Sequence, residues 1–295
     1  MASLSDWPHA SLTFVAGPSV LVVLTAGMLA LMPVNTGGIS DDIAVSAPQT
    51  IVVEPRTYSY RAPGEYSLDG YAVDAPLRTI DVARSLTIMK YQVSRADYAR
   101  CVQAGVCQSP EPEYAATAQD GDMPATGISF DDASAYAKWL SDQTGEVWTL
   151  PTDAQLAFAA GTRFPDDAID TVSSNPADRW LEKYRREVES SAARDPVPKG
   201  RGHFGENEFG LADFGGNVWE WTTTCYRRVA ENDVARIDAL PCGVQFVAGR
   251  HRAAMVSFIR NPKGGACAVG APPENLGFRL VKDTRWYASL LRMVR

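Results

Sequence analysis

The densest set of chemically capable residues lies in Gly210–Trp221, which reads GLADFGGNVWEW. The carboxylates of Asp213 and Glu220 and the backbone carbonyls of Gly216 and Val218 could converge on a hard cation such as calcium, which takes six to eight oxygen ligands. In the alternative interpretation, Glu220 pairs with an arginine and Asp213 accepts hydrogen bonds within a turn. Both interpretations predict an anchored, bent loop.

A second set contains ligand types that bind soft metals. His251 and Met255 are four residues apart, and together with Cys267 they could hold copper. The alternatives are a groove or surface histidine, a core methionine and a small buried thiol. A non-haem iron site needs two histidines and a carboxylate. Because His9 precedes a long apolar segment, only His203 and His251 are available.

The distribution of charge indicates which classes of partner the protein could bind. Arg250, His251 and Arg252 form a basic segment that could present a positive rim to an anionic ligand or an acidic partner. The whole chain nevertheless has a formal net charge of −7, whereas nucleic-acid binding needs a basic surface. The sequence also has no P-loop and no dinucleotide-binding GxGxxG motif. We therefore expect no nucleic-acid partner.

The order of several motifs resembles one known family. The two strongest motifs are Gly210–Trp221 and Asn275–Arg279 (NLGFR). Further motifs precede them in the order found in the family: Ile88–Tyr98 (IMKYQVSRADY), Met123–Ser129 (MPATGIS), Asp132–Leu140 and Leu150–Asp153 (LPTD). Over residues 50–282, the chain resembles the formylglycine-generating enzymes, also called sulfatase-modifying factors. The resemblance implies an α+β, variant C-type-lectin-like fold.

The resemblance also assigns roles to individual positions. It implies a structural calcium ion on Asp213, Gly216, Val218 and Glu220, and a loop-locking amide at Asn217. It implies a substrate groove between the two signature motifs. The groove residues that we expect to meet a peptide or partner protein are Arg250, His251, Arg252, Asn275 and Arg279.

The enzymes of this family oxidise a cysteine by means of two cysteines that bind copper(I), placed between the two signatures. The corresponding stretch here, Phe246–Pro262, contains no cysteine. The family's iron-dependent oxygenases use histidines from an additional helical domain, which this sequence does not match. We therefore expect formylglycine generation to be absent, and whether the chain is an enzyme stays open. The remaining catalytic candidates are Cys267 and a metal at His251.

Finer details resemble a subgroup of the family. Thr224–Tyr226, Gly249–Arg252 and the segment GGACAVGAPPENLGFRLV are similar to the membrane-anchored NirV-type proteins found with bacterial copper nitrite reductases. The leading hypothesis is an accessory or binding protein that supports denitrification. The alternative is an oxidoreductase that modifies a protein or a small thiol through Cys267 or a metal at His251.

The N-terminal segment predicts a location. Residues 12–32 are 21 positions without charge, enough for one helical crossing of a bilayer. A cleaved signal sequence and a buried core helix are the alternatives. We expect a short cytoplasmic N-terminus at residues 1–11, an anchor at 12–32, a linker at 33–49, the domain at 50–282 and a tail at 283–295. This arrangement places the domain in the periplasm, on the bacterial inner membrane.

An exported domain favours disulfides, and the five cysteines permit two of them. Cys101 and Cys107 are six residues apart, and Cys225 and Cys242 flank a polar excursion. These two pairings would leave Cys267 unpaired.

The helices that position these residues have recognisable N-terminal capping signals. Ser94, Ser129 and Thr152 are each placed to cap a helix. A fourth helix is predicted over residues 176–192, with Trp180, Leu181, Tyr184 and Val188 as its buried side. After residue 195 we expect turns and short strands, which together predict helices packed on one small, mostly antiparallel sheet.

Overall fold

Local capping signals determine where the helices begin. The helices are α1 (Arg95–Gln103), α2 (Phe130–Thr144), α3 (Asp153–Ala160) and α4 (Pro176–Ala192). The hydroxyls of Ser94, Ser129 and Thr152 each accept the backbone N–H three residues ahead, and the side chain there accepts the cap residue's own N–H. Gly145 ends α2 with a left-handed φ of 71°. The predicted starts of α1, α2 and α3 are confirmed.

The structure is a computed structural model, and it describes residues 45, 47–111, 114, 120–169, 175–192, 195, 197–230, 242–264, 273, 275–285 and 288. The predicted anchor at 12–32 and Cys267 lie outside the described residues. Within the described part, no helix combines the length and the apolar character needed to cross a membrane. Residues Ala44–Arg295 form one compact unit.

The described strands are short and belong to four sheets. They are β1 (Thr50–Val53), β2 (Arg56–Arg61), β3 (Glu65–Leu68), β4 (Tyr71–Val73), β5 (Leu77–Val82), β6 (Leu86–Met89), β7 (Trp148–Thr149), β8 (Trp219–Cys225), β9 (Arg228–Ala230), β10 (Val244–Ala248), β11 (Arg252–Val256), β12 (Leu276–Gly277) and β13 (Val281–Lys282). The sheet orders are β1-β6-β13-β7, β11-β10-β8-β12, β2-β5 and β4-β3-β9. The α+β class is confirmed, but the single predicted sheet is replaced by four.

Two of the strand pairs are parallel: β12 with β8 and β3 with β9. In the first four-stranded sheet, β13 lies between two strands made much earlier in the chain. Val281 pairs with Ile88 of β6 on one side and with Thr149 of β7 on the other. Pairing over such separations is set by tertiary packing, which short-range sequence patterns do not report.

The core lies between the helices and the two four-stranded sheets. The α2 residues with helical spacing, Ala133, Tyr136, Ala137 and Leu140, are all buried, as their pattern predicts. Trp219, Glu220 and Trp221 of β8 are buried as well. The first signature motif is therefore a loop that leads into a core strand.

Helix α4 corrects the prediction made for it. The helix forms over the predicted residues, but Trp180, Leu181, Tyr184 and Val188 are 53%, 48%, 56% and 48% exposed. The periodic pattern correctly identifies residues that share a face, yet that face does not pack on the domain. Its opposite, charged side makes the contacts described below.

Candidate functional site

The two signature motifs meet in a buried ion pair. Arg279 Nε lies 2.6 Å from Glu220 Oε2, and Arg279 Nη2 lies 2.6 Å from Glu220 Oε1. Both side chains are 0% exposed. Two parallel charge-assisted hydrogen bonds of this kind are the strongest arrangement available to an arginine and a carboxylate.

The remaining polar atoms of this pair also have partners. Arg279 donates to the carbonyls of Lys90 at 2.9 Å and Ala212 at 2.9 Å. Gln92 Nε2 donates to Glu220 Oε1 at 2.7 Å. The pair therefore joins β8, the segment after β6 and the glycine-rich loop. A guanidinium and a carboxylate so fully engaged hold the fold together rather than meet a substrate.

Asp213 organises the turn before β8. Its backbone has a left-handed φ of 61°, and its side chain is buried. Asp213 Oδ2 accepts the N–H of Gly202 at 2.6 Å, and Oδ1 accepts the N–H of Phe204 at 2.8 Å. Asn217 fixes the same loop, because its amide bonds both the N–H and the carbonyl of Lys199 at 2.9 Å.

These contacts test the calcium site predicted on Asp213, Gly216, Val218 and Glu220. Both oxygens of Glu220 are bonded to Arg279, and a divalent cation there would sit beside a buried guanidinium. Both oxygens of Asp213 accept backbone N–H groups. The four residues as arranged do not fit a calcium site. They match the alternative that the sequence left open, an arginine pair and a turn.

The predicted groove residues do not form one exposed surface. Arg279 is buried in the ion pair, and the Arg252 side chain is only 6% exposed. Arg250 is exposed, while His251 and Asn275 are half-buried. Arg252, predicted for the positive rim, and Arg279, predicted for the groove, are both withdrawn from the surface, because Arg252 pairs with Asp153 and Asp167 and Arg279 pairs with Glu220.

Arg252 belongs to a buried charged cluster that the sequence did not reveal. Arg252 Nε lies 2.7 Å from Asp167 Oδ2, and Nη1 lies 3.2 Å from Asp153 Oδ2. Burial raises the pKa of Asp153 to about 6, although Arg252 acts in the opposite direction. Burial favours a lower pKa for Arg252, but Asp153 and Asp167 outweigh it and raise that pKa. Asp153 Oδ1 is buried and has no hydrogen-bond partner within the described residues.

His251 lies at the turn between β10 and β11, against the first signature. The rings of Trp219 and His251 are 5.2 Å apart in an edge-to-face arrangement, and Trp219 Nε1 donates to the His251 carbonyl at 3.0 Å. Met255 is fully buried within β11, in the hydrophobic core. In the part of the chain that the structure describes, no group of three or more His, Cys, Asp or Glu residues is placed to hold a metal ion. Copper or iron at His251 therefore stays a sequence-based prediction.

Both predicted disulfides are present. Cys101 is bonded to Cys107, and Cys225 to Cys242. The first bond fixes the end of α1, and the second closes a loop that contains β9. They connect local structure and contribute no side chain to the ion pair.

A cavity of about 200 Å³ is connected to the ion pair through one of its lining residues. Gln92, which donates to Glu220, lines the cavity, and Tyr91 lines it as well. Its charged wall is Asp97, whose carboxylate oxygens pair with Arg100 and Arg201. Because two guanidinium groups share one carboxylate, this wall carries an excess of positive charge. Arg100 and Arg201 were not among the predicted groove residues, because the sequence gave no indication that α1 and the turn at Arg201 meet here.

The comparison with protein families matches one model. The sulfatase-modifying factor enzyme 1-like domain matches residues 37–284. Over 163 residues, the chain is 26% identical to the inactive C-alpha-formylglycine-generating enzyme 2 of Bos taurus, covering 54% of this chain and 50% of that protein. Over 109 residues, it is 32% identical to the formylglycine-generating enzyme of Mycobacterium tuberculosis, covering 34% of this chain and 33% of that protein.

A solved structure supports the fold. PvdO from Pseudomonas aeruginosa has a TM-score of 0.53 and 20% identity, covering 80% of this chain and 95% of that one. This likeness concerns the fold alone. The chain spans about half the length of the inactive curated relative.

Proposed function

The chain belongs to the sulfatase-modifying factor enzyme 1-like family, and on this premise we propose that it is a membrane-anchored, periplasm-facing accessory protein that binds a peptide or protein partner without generating formylglycine. Relatives named as inactive support a non-catalytic role.

One observation supports the proposal that cysteine oxidation is lost. The hairpin β10–β11, where the resemblance places the copper-binding cysteine pair, has no cysteine. Its inward side chains instead build the core: Val247 and Met255 are fully buried, and Arg252 pairs with Asp153 and Asp167. Cysteines introduced at the buried positions would lie inside the core, away from a substrate.

The assay for this loss uses a cysteine-containing sulfatase peptide, with copper and oxygen supplied. We expect no aldehyde from this chain under conditions in which the M. tuberculosis formylglycine-generating enzyme converts the peptide. Stoichiometric peptide aldehyde, detected by mass spectrometry, would overturn the proposal.

The binding role is best served by the cavity beside the ion pair. Its wall of Asp97, Arg100 and Arg201 carries excess positive charge and suits an acidic side chain of a partner. Tyr91 and Gln92 line the same cavity, so a bound segment would rest against the structure that joins both signatures.

The partner that the resemblance suggests is the machinery of copper nitrite reductase. In a denitrifying host, deletion of the chain is expected to lower the activity or the copper content of nitrite reductase. A chain in which a cleavable signal peptide replaces residues 1–43 should rescue less than the full chain, because it reaches the periplasm without the anchor. Unchanged nitrite reductase activity and copper content after deletion would refute this role.

A further inference from the structure

Helix α4 is attached to the domain by its charged side. Arg179 Nη2 lies 2.5 Å from Asp74 Oδ1 in the segment after β4. Arg186 donates to the carbonyl of Ala168 at 2.6 Å and to that of Ile169 at 3.1 Å. These bonds fix the helix with Arg179 and Arg186 directed at the protein.

The opposite side of α4 is apolar and accessible. Trp180, Leu181, Tyr184 and Val188 follow one another at helical spacing, so they share one face. The rings of Trp180 and Tyr184 stack at 5.7 Å, which preserves a flat aromatic surface. A surface helix of a globular protein normally buries such a face. Here the contacts of Arg179 and Arg186 hold the opposite side on the domain, and among the described residues this face is left exposed.

We propose that α4 is a second membrane contact, which lies in the interface of a lipid bilayer with this apolar face toward the acyl chains. Trp and Tyr favour the level of the headgroups, where an apolar ring and a polar atom are both accommodated. Lys183 and Arg185 flank the apolar face on its two sides, but Arg185 is paired with Glu182, so the match rests on the apolar and aromatic side chains and not on net charge. The face thus matches a bilayer interface in polarity.

A membrane tether would strengthen the contact between α4 and the bilayer. This part of the proposal rests on the proposed membrane anchor at residues 12–32. Because the compact unit begins at Ala44, the free part of the linker is residues 33–43, which are 11 residues long and give a maximum reach of about 40 Å at about 3.5 Å per residue. Within that distance, even weak interfacial binding becomes intramolecular and is strengthened by a high effective concentration. The anchor would keep the domain at the membrane, and α4 would orient it.

The test uses the full chain in vesicles of phosphatidylethanolamine and phosphatidylglycerol, with the photo-crosslinking residue p-benzoylphenylalanine at Tyr184. The matched control carries it at Tyr71, which is also an exposed aromatic residue, at 60% exposure. After irradiation, adducts are identified by mass spectrometry. We expect lipid adducts at Tyr184 at least about tenfold above those at Tyr71, because only the α4 face enters the interface.

Three results of the crosslinking experiment would overturn the inference. Equal lipid adducts at both positions would mean that tethering alone brings lipid near, and a dimer-sized adduct at Tyr184 would show that a second copy covers the face. If no lipid adducts form at Tyr184, the α4 face remains in water. A carbonate wash of the same vesicles tests the anchor separately, since a peripheral contact through α4 does not resist it. Release by carbonate together with lipid adducts at Tyr184 would refute the anchor and retain the α4 contact.

A second variant checks that the face, and not a folding defect, is responsible. Leu181→Glu with the crosslinker kept at Tyr184 should reduce lipid adducts by about tenfold, since a charge at the centre of an interfacial face opposes insertion. Leu77→Glu places the same charge at a residue of β5 that is 61% exposed, and it should leave the adducts unchanged. Similar losses in both variants would contradict the proposed face.

Discussion

Arg279 Nε and Nη2 each lie 2.6 Å from a different carboxylate oxygen of Glu220, and neither side chain is accessible to solvent. The two residues are 59 positions apart, one in each signature motif. Their pairing gives the signatures a structural meaning: together they hold β8 beside the segment that leads into β13.

Breaking this pair should be costly. In Arg279→Leu, the Glu220 carboxylate is left buried without its counter-ion, which is expected to lower the free energy of unfolding by about 3–5 kcal/mol. Urea denaturation measures the change. The double variant Glu220→Leu/Arg279→Leu removes both charges and should be more stable than Arg279→Leu alone. A single variant within 1 kcal/mol of the wild type would contradict the role assigned to the pair.

Calcium should have no effect at the glycine-rich loop. Because Glu220 and Asp213 already bond to protein groups, millimolar calcium is expected to leave the melting temperature of the wild type unchanged. Differential scanning calorimetry with calcium or with a chelator provides the measurement. A calcium-dependent rise in melting temperature that Asp213→Asn abolishes would restore the cation site.

Asp153 should make stability depend on pH. Its pKa in the fold is about 6, against an ordinary value of 3.8, so the folded state holds the proton more tightly than the unfolded chain. This contribution is fully present below pH 3.8 and is lost as pH rises through about 6. Asp153→Asn stays neutral, so its stability relative to the wild type should rise by roughly 2 kcal/mol between pH 4 and pH 7. Urea denaturation measures both proteins. If the difference in unfolding free energy between Asp153→Asn and the wild type is the same at every pH, the raised pKa of Asp153 is ruled out.

The close approach of Trp219 to the β10–β11 turn can be tested at a glycine. A Cβ added at Gly249 would lie 2.9–3.0 Å from the Trp219 indole. Gly249→Ala should displace the ring from its place beside His251 and lower stability by about 1–3 kcal/mol. Near-ultraviolet circular dichroism and urea denaturation report the two effects. Gly243→Ala is the control, because its Cβ would meet no atom within 4 Å; equal effects in both variants would reject the steric explanation.

Local signals in the sequence predicted local structure well. The starts of α1, α2 and α3 follow from Ser94, Ser129 and Thr152, whose capping partners lie three residues away. The cysteine pairings were also predicted, and so was the anchored loop. In each case the interacting groups are near each other in the chain, or the alternatives are few.

Interactions between distant segments could not be predicted in this way. Arg279 was assigned to a groove because its motif gives no indication of a partner 59 residues earlier. Asp153 occupies an ordinary helix start, and only the arrival of Arg252 from β11 makes it part of a buried cluster. For α4, the 3.6-residue period identified the apolar face but not whether the domain or its surroundings would cover it.

The position of β13 has a consequence for the order of assembly. This strand is hydrogen-bonded between β6 and β7, so the first four-stranded sheet has a gap at its centre until Val281 is synthesised. More than 190 residues separate Ile88 from Val281. Until Val281 is synthesised, one edge of β6 in the nascent chain has no strand to pair with. Folding of this sheet therefore has to finish after translation of the segment that contains Val281.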